Sequence, residues 1–255
     1  MKLWTRHQQN KPRSTDGCRL YAIGDVHGCF SLLVRLLQLI ERDQAARPPC
    51  ETHVLLLGDY VDRGPQSRDV CELLHAMAPS PYFHCLRGNH EQTMLDVLGG
   101  SHMALRFWLE YGGVETLASC GIKQELIEQA HYGEDGEAKL IRAIRSAVPP
   151  ALMMWMRELP TYHLHGDYLF VHAGIRPKLD LDQQSEDDML WIREPFLSSR
   201  ARHPWRVVHG HSESEDVQMT PYRIGIDTAA YRTGVLTAVG LEGDECWTIQ
   251  TEPAG

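Results

Sequence analysis

The feature that most constrains this 255-residue chain is a pattern that recurs five times: a short apolar run stopped abruptly by Gly, Asp, His or Asn. Leu20-Tyr-Ala-Ile runs into Gly24-Asp25, and Val54-Leu-Leu-Leu runs into Gly58-Asp59. Phe83-His-Cys-Leu leads into Arg87-Gly88-Asn89-His90, Tyr168-Leu-Phe-Val into His172, and Val207-Val208 into His209-Gly210-His211. Apolar runs of this length, bounded by turn residues, read as buried strands. Polar residues gathered just past strand ends are where open α/β sheets place their ligands.

Helical patterns separate the first three runs. Leu32, Leu33, Leu36, Leu37 and Ile40 form one apolar face at helical spacing, with Ser31 as the expected N-cap and Pro48-Pro49 closing the connection. Val70, Leu73, Leu74 and Met77 mark a second helix, stopped by Pro79 and Pro81. This β-α-β-α-β opening predicts a parallel sheet with helices over it. Residues 92–158 read as mostly helical, broken at Gly99-Gly100, Gly112-Gly113, Gly121, Gly133 and Pro149-Pro150. Hairpin signals then follow around Gly166-Asp167 and Gly243-Asp244. The expected organisation is a flexible tail over residues 1–18 and a single α/β domain over residues 19–255.

Composition narrows the partners. The net charge of −9 and the absence of a dense Lys/Arg run argue against nucleic acid, which needs a basic footprint. A small anionic substrate is still compatible, because a local pair of cations outweighs the global charge. No apolar run of about 18 residues predicts a membrane span, and Met1-Lys-Leu-Trp-Thr-Arg lacks the apolar core of a signal peptide. Seven cysteines without a C-x-x-C pattern fit reduced thiols in a cytoplasmic protein. Nothing in the sequence specifies an oligomeric state.

The polar residues of the five loops form a set: Asp25, His27, Asp59, Asp62, Arg63, Asn89, His90, His172, His209 and His211. Carboxylate, imidazole and amide oxygen together suit Mn²⁺, Fe or Zn²⁺ rather than Mg²⁺ or Ca²⁺. Six or so ligands exceed the needs of one tetrahedral ion. A carboxylate such as Asp59 is able to bridge two ions, and two metals about 3.5–4 Å apart activate a water and clamp both oxygens of an in-line displacement.

Three of these segments, Gly24-Asp25-Val26-His27-Gly28, Gly58-Asp59-Tyr60-Val61-Asp62-Arg63-Gly64 and Gly88-Asn89-His90-Glu91, resemble in order the signature blocks of the phosphoprotein phosphatase family. His172-Ala173-Gly174 and Gly210-His211 resemble its two later histidine blocks. Arg87 to Gln92, and Trp108 with Gly112-Gly113, resemble bacterial and phage members in particular. The resemblance implies a calcineurin-like metallophosphoesterase fold: a central β-sandwich flanked by helices, with the site on loops at strand C-terminal ends. It implies two divalent ions, foremost Mn²⁺. Asp25, His27 and Asp59 would hold the first; Asp59, Asn89, His172 and His211 would hold the second. Arg63, Asn89 and, on the shorter match Trp191-Ile192-Arg193-Glu194, Arg193 would bind phosphate. His90 would be the general acid, oriented by Asp62, while a metal-bridging hydroxide attacks phosphorus directly.

The expected activity is therefore phosphomonoester hydrolysis, on phosphorylated protein or a small phosphoester, with serine/threonine phosphatase as the leading form. Dinucleoside polyphosphate hydrolysis is the alternative, since Gly24-Asp-Val-His-Gly-Cys29 and His172-Ala-Gly-Ile175 also resemble diadenosine tetraphosphatases. That branch tends to lack an acid where Asp62 stands and to have Asp where Glu91 stands. A third reading is an inactive metal-binding interaction module, which would have lost a ligand or the acid; every matched position is filled. Ala229 departs from a segment that often has Gly there. The nine histidines outside the motifs, among them His53, His84, His163 and His165, read as structural.

Overall fold

The computed structural model describes residues 11–252. Strands β1 (Cys18–Ile23), β2 (Glu51–Leu56) and β3 (Phe83–Cys85) are parallel neighbours, joined by helices α1 (Phe30–Ala45) and α2 (Ser67–Met77). Residues 89–158 run through six further helices: α3 (Asn89–Gly99), α4 (His102–Glu110), α5 (Gly113–Ser119), α6 (Gln124–Ala130), α7 (Glu134–Ala147) and α8 (Pro150–Glu158). Next come β4 (Tyr162–His165), β5 (Tyr168–Val171), helix α9 (Glu186–Trp191) and β6 (Arg206–His209). The chain ends through β7 (Gln218–Met219), β8 (Arg223–Gly225), helix α10 (Ala230–Thr233), β9 (Thr237–Glu242) and β10 (Glu245–Gln250).

The strands make two five-stranded sheets, ordered β10-β9-β1-β2-β3 and β4-β5-β6-β8-β7. Both are mixed: β9 runs antiparallel beside β1 and β10 antiparallel beside β9, and β4 and β7 lie antiparallel at the edges of the second sheet. The expected parallel opening, β1-β2-β3, is therefore one side of a mixed sheet. Helices cover one face of that sheet, because the other face is taken by the second sheet. Successive side chains of a strand point to opposite faces, so Leu20 and Ala22 of β1 pack between the sheets with Leu55, Tyr168, Phe170 and Val208. Tyr21 and Ile23 pack on the helix side with Leu33, Leu36, Val70 and Leu74. A strand buried on both faces must be apolar throughout, which explains why these runs show no alternation.

Two local expectations differ from the structure. Ser31 lies inside α1; Cys29 holds the N-cap position and provides no side-chain cap. Of the expected tail, residues 1–10 lie outside the described residues, but residues 11–18 are fixed. Ser14 is buried and exchanges hydrogen bonds with Gly243 and the Cys18 carbonyl, while the Arg13 carbonyl accepts from Asp167 N at 2.8 Å. The segment thus closes over both hairpin turns and runs directly into β1. Among the described residues, no helix is long and apolar enough to cross a membrane.

The inter-sheet layer fixes where the strand ends meet, so it should dominate stability. Leu20 is fully buried there. Leu20→Ala is expected to cost about 2–5 kcal/mol, as other leucine truncations in cores do. It should lower the urea midpoint with little change in the denaturant slope; an unchanged midpoint would contradict this packing.

Candidate active site

Because β1, β2 and β3 are parallel in one sheet and β5 and β6 in the other, their C-terminal ends lie along one edge of the sandwich. All five polar loops leave from those ends. Asp25 follows β1, Asp59 follows β2, Asn89 and His90 open α3 just past β3, His172 follows β5, and His211 follows β6.

The turns are tight and costly. Among the described residues, seven non-glycine residues have positive φ; His27, Asp59, Asp62, Arg63 and His211 are five of them, at 43° to 75°. Such strain persists only where surroundings over-determine it. Here His27 N and Val26 N both donate to the Asp59 carbonyl, and Gly28 N donates to that of Tyr60. The buried Glu91 carboxylate accepts from the backbone N–H groups of Gly88, Asp59, Tyr60 and Val61. A Cβ on Gly88 would come within 2.3 Å of Asp59 N and Oδ1, so only glycine lets these two loops meet.

Asp59 lies at the centre. One oxygen, Oδ2, is 3.5 Å from His27 Nε2 and 3.9 Å from His90 Nε2; the other, Oδ1, is 3.4 Å from His172 Nε2. Two clusters result, His27-Asp59-His90 and Asp59-His172-His211, with the one carboxylate common to both. Asn89 Oδ1 is 2.8 Å from both His172 Nε2 and His211 Nδ1. Asp25 accepts from His211 N through Oδ2, while its Oδ1 is buried and unpartnered among the described residues, as is His211 Nε2.

The protonation chemistry of these groups fits cations. The backbone fixes the tautomers: His27 Nδ1 faces the Val61 carbonyl at 2.9 Å and His172 Nδ1 faces that of Leu57 at 3.0 Å. Each ring nitrogen next to a carbonyl must carry the proton, which leaves Nε2 as a lone pair turned inward. Burial pushes His27 down to about 3 and His211 down to about 2, so both rings are neutral. Burial, together with the charges of Asp227 and Asp59, raises Asp25 well above the usual carboxylate range. Lone pairs on His172 and, in the orientation the structure gives the amide, Asn89 face each other at hydrogen-bond distance. Buried carboxylates and inward lone pairs without protons between them are a donor set suited to divalent cations.

His90 differs from the other histidines. Its Nδ1 is 2.6 Å from Asp62 Oδ2, which turns Nε2 toward the site. Burial works against its charge, but Asp59 and the hydrogen-bonded Asp62 outweigh that and raise it to about 9. Asp62 is fully buried and also accepts from Trp108 Nε1 and Thr116 Oγ1. Arg63 extends over the clusters, with NH1 3.0 Å from His27 Nε2 and NH2 3.4 Å from His90 Nε2.

Every candidate residue from the sequence converges on this place except Arg193 and His209. Arg193 is exposed at the rim, where it lines a groove of about 1120 Å³ with Leu95, Met103, Phe107, Trp191 and Ile192. Trp191 carries that groove to the site, its ring edge-on to His211. His209 is buried, but its ring nitrogens are engaged by the Gly210 carbonyl and Arg223.

Sequence reasoning missed Glu213, Thr116 and Tyr231. Glu213 accepts from Arg63 at 2.9 Å, from Arg232 and from the Tyr231 hydroxyl, and Tyr231 lies under the Arg63 guanidinium at 4.9 Å. An acid two residues past the Gly210-His211 block was the available signal for Glu213. Ala229, where Gly was expected, adopts φ 52°, the left-handed conformation that glycine enters without penalty.

Comparisons agree with this geometry. A symmetrical bis(5'-nucleosyl)-tetraphosphatase of Methylococcus capsulatus is 31% identical over 158 residues, which is 62% of this chain and 44% of that protein. Serine/threonine-protein phosphatase 1 of Salmonella typhimurium is 29% identical over 236 residues, 88% of this chain and 92% of that one. The chain thus spans less than half the length of the tetraphosphatase and nearly all of the protein phosphatase. The crystal structure of a candidate diadenosine tetraphosphatase superposes with a TM-score of 0.64 at 20% identity, covering 96% of this chain and 100% of that one, which shows the fold. The family profile for calcineurin-like phosphoesterases matches residues 18–234, so the chain belongs to the calcineurin-like phosphoesterase family.

Proposed function

We propose that the chain is a metal-dependent phosphomonoesterase that acts on phosphorylated serine or threonine side chains. The observation that carries this reading is the His90-Asp62 dyad, 2.6 Å across, set beside Arg63 and over the Asp59 clusters. A serine or threonine alkoxide is a poor leaving group and needs a proton as the P–O bond breaks. A nucleotide phosphate leaving group does not, because it is already stable as an anion. A histidine locked by a buried carboxylate, with its Nε2 turned toward the site, therefore suits the monoester better.

Asp25, His27 and Asp59 would hold one cation, and Asp59, Asn89, His172 and His211 a second. Mn²⁺ suits this mixture of oxygen and imidazole donors, with Fe and Zn²⁺ as the other fits. When bound, such ions supply Lewis acidity, making water nucleophilic near neutral pH and offsetting phosphate charge. The protein supplies the rest. Arg63 presents a planar fork to two phosphate oxygens, held in place by Glu213 and the Tyr231 ring. His90 gives its Nε2 proton to the departing oxygen, and Asp62 stabilises the charged ring until then. Arg193 receives the phosphate side of a chain lying in the adjoining groove. That groove, with Phe107 and Trp191 on its wall and about 1120 Å³ in volume, has room for residues flanking a phosphorylated side chain. The near full-length match to the Salmonella phosphatase supports the same reading. Seven free thiols fit a reducing compartment such as the cytoplasm.

The second reading, dinucleoside tetraphosphate hydrolysis, is favoured by the 31% identity to the Methylococcus enzyme. Turnover of a phosphoserine peptide and of diadenosine tetraphosphate, side by side with Mn²⁺, separates the two. We expect the peptide to be the better substrate; much faster cleavage of the dinucleotide would reverse the assignment.

Three further outcomes follow. His90→Asn should lower kcat on a phosphoserine peptide by about 10²–10⁴. It should have far less effect on an aryl phosphate whose phenol is acidic, and equal losses on both would remove His90 as the acid. Asp59→Asn should be worse than His90→Asn at saturating Mn²⁺, because it touches both clusters. Chelation should abolish activity in the unmodified chain, with two equivalents of Mn²⁺ restoring it; full activity with a single ion would overturn the dinuclear assignment.

A further inference from the structure

The sandwich has a second end, and it also collects metal-binding side chains. β1 and β2 run parallel, with Cys18 opposite Glu51 and Leu20 opposite His53. Leu20 and Leu55 point between the sheets, so Cys18, Glu51 and His53, each two residues along a strand, share that face. On β3, His84 is paired with Leu55; on β4 of the other sheet, His163 and His165 are paired with Phe170 and Tyr168, which also face inward. Four imidazoles, a carboxylate and a thiol therefore meet in one inter-sheet space at the N-terminal ends of β1 and β2. Seven residues of chain, roughly 20 Å at the rise of a strand, separate Cys18 from Asp25 at the catalytic end.

We propose that Cys18, Glu51, His53 and His165 form a separate site for one divalent cation of the zinc class, joining the two sheets. The ligand atoms of Cys18, Glu51 and His53 lie within 4.8 Å of one another. Cys18 Sγ is 3.8 Å and His53 Nε2 is 2.8 Å from Glu51 Oε1. Bonds of about 2.0–2.3 Å to a tetrahedral ion would need only small shifts from this spacing. His165 is the fourth donor. Its ring centroid is 5.6 Å from that of His53, and its Nε2 is shut off from solvent and unpartnered among the described residues.

The supporting groups agree. His53 Nδ1 is 2.9 Å from His84 Nε2, the outer hydrogen bond that a metal-binding imidazole uses to fix its orientation. On binding, Cys18 would release to solvent the thiol proton it now gives to Glu51, and the resulting thiolate and the Glu51 carboxylate would together balance one divalent ion. Thiolate with imidazole selects zinc over the harder ions suited to the catalytic end.

Cobalt tests this directly, since a thiolate bound to Co²⁺ absorbs in the near ultraviolet and the catalytic clusters contain no cysteine. The full chain, stripped with chelator and reloaded with Co²⁺, should show that charge-transfer band. Asp59→Asn and Cys50→Ser should retain it, and Cys18→Ser and His53→Gln should lose it. Reloaded with Zn²⁺, the Cys18→Ser and His53→Gln proteins should each hold one equivalent less per chain than the unmodified protein, with phosphoester turnover unchanged. No band in the unmodified protein, a band that survives Cys18→Ser, or equal zinc contents would overturn the proposal. If Cys18→Ser fails to fold, His53→Gln decides on the same readouts.

Discussion

The catalytic end depends on one buried carboxylate. Glu91 Oε2 takes the N–H groups of Gly88 and Asp59, and Oε1 takes those of Tyr60 and Val61. A carboxylate has roughly four acceptor positions, so this one is fully used by backbone. The four donors come from the loops after β2 and β3, which carry Asp59, Asp62, Arg63, Asn89 and His90. Left-handed backbone at Asp59, Asp62 and Arg63 costs of order 1–3 kcal/mol each. Charge-assisted hydrogen bonds in a dry interior are strong enough to hold that strain. The position of Asp59, common to the two histidine clusters, is thus set by its backbone.

The helical middle has a role that its sequence pattern did not suggest. Trp108 on α4 and Thr116 on α5 both donate to Asp62, and Thr116 also lies 2.8 Å from Asp62 N. Asp62 must stay immobile if it is to orient His90, and a buried carboxylate is tolerable only when its lone pairs are met. The same α3–α4 region provides Leu95, Met103 and Phe107 to the groove beside the site. One helical layer therefore fixes the carboxylate that holds His90 and forms one wall of the groove beside the site.

What is legible in the sequence is local. Apolar runs ending in Gly-Asp, Gly-Asn-His or Gly-His announce a buried strand and the polar loop after it, and five of them mark the edge where the loops gather. Gly100, Gly112, Gly121 and Gly133 sit at positive φ at helix boundaries in the middle segment, where their lack of a side chain makes them readable as breaks. The misses are long-range. Thr116 is 54 residues from Asp62, and Glu213 is 150 from Arg63. A threonine on a helix and an acid in a loop have no local mark of such partners. Ser31 has the residue type of a cap, but entry into α1 is governed by the turn just before it. There Gly28 N is bonded to the Tyr60 carbonyl and Gln66 N to the Gly28 carbonyl, so the helix starts where the loop cluster directs it. Residues 11–18 read as a tail because they are polar; their backbone instead pairs with the hairpin turns at Asp167 and Gly243.

Parallel strands explain why polar chemistry collects at both ends of this sandwich. The middle of each strand is buried on two faces and must be apolar, as Leu20 to Ile23 and Leu55 to Leu56 are. Polar side chains are then tolerated only where a strand enters or leaves the core. At the exit, loops with positive φ turn several residues of each segment onto one point, and the result is dense enough for two clusters around Asp59. At the entrance, among the described residues, the positive-φ positions are the glycines Gly17, Gly166 and Gly243, which have no side chain to turn inward, so each strand contributes only what its own register offers: Cys18 and Glu51 as a cross-strand pair, His53 two residues on, and His165 from the facing sheet. The exit therefore has the backbone freedom to build a reactive centre that substrate reaches. The entrance has only side-chain register, which suits a fixed tie between sheets. Net charge is −9 for the chain, yet Arg63 stands over the exit beside His90, so the fold sets a cationic side chain at the edge where its buried carboxylates and imidazoles converge.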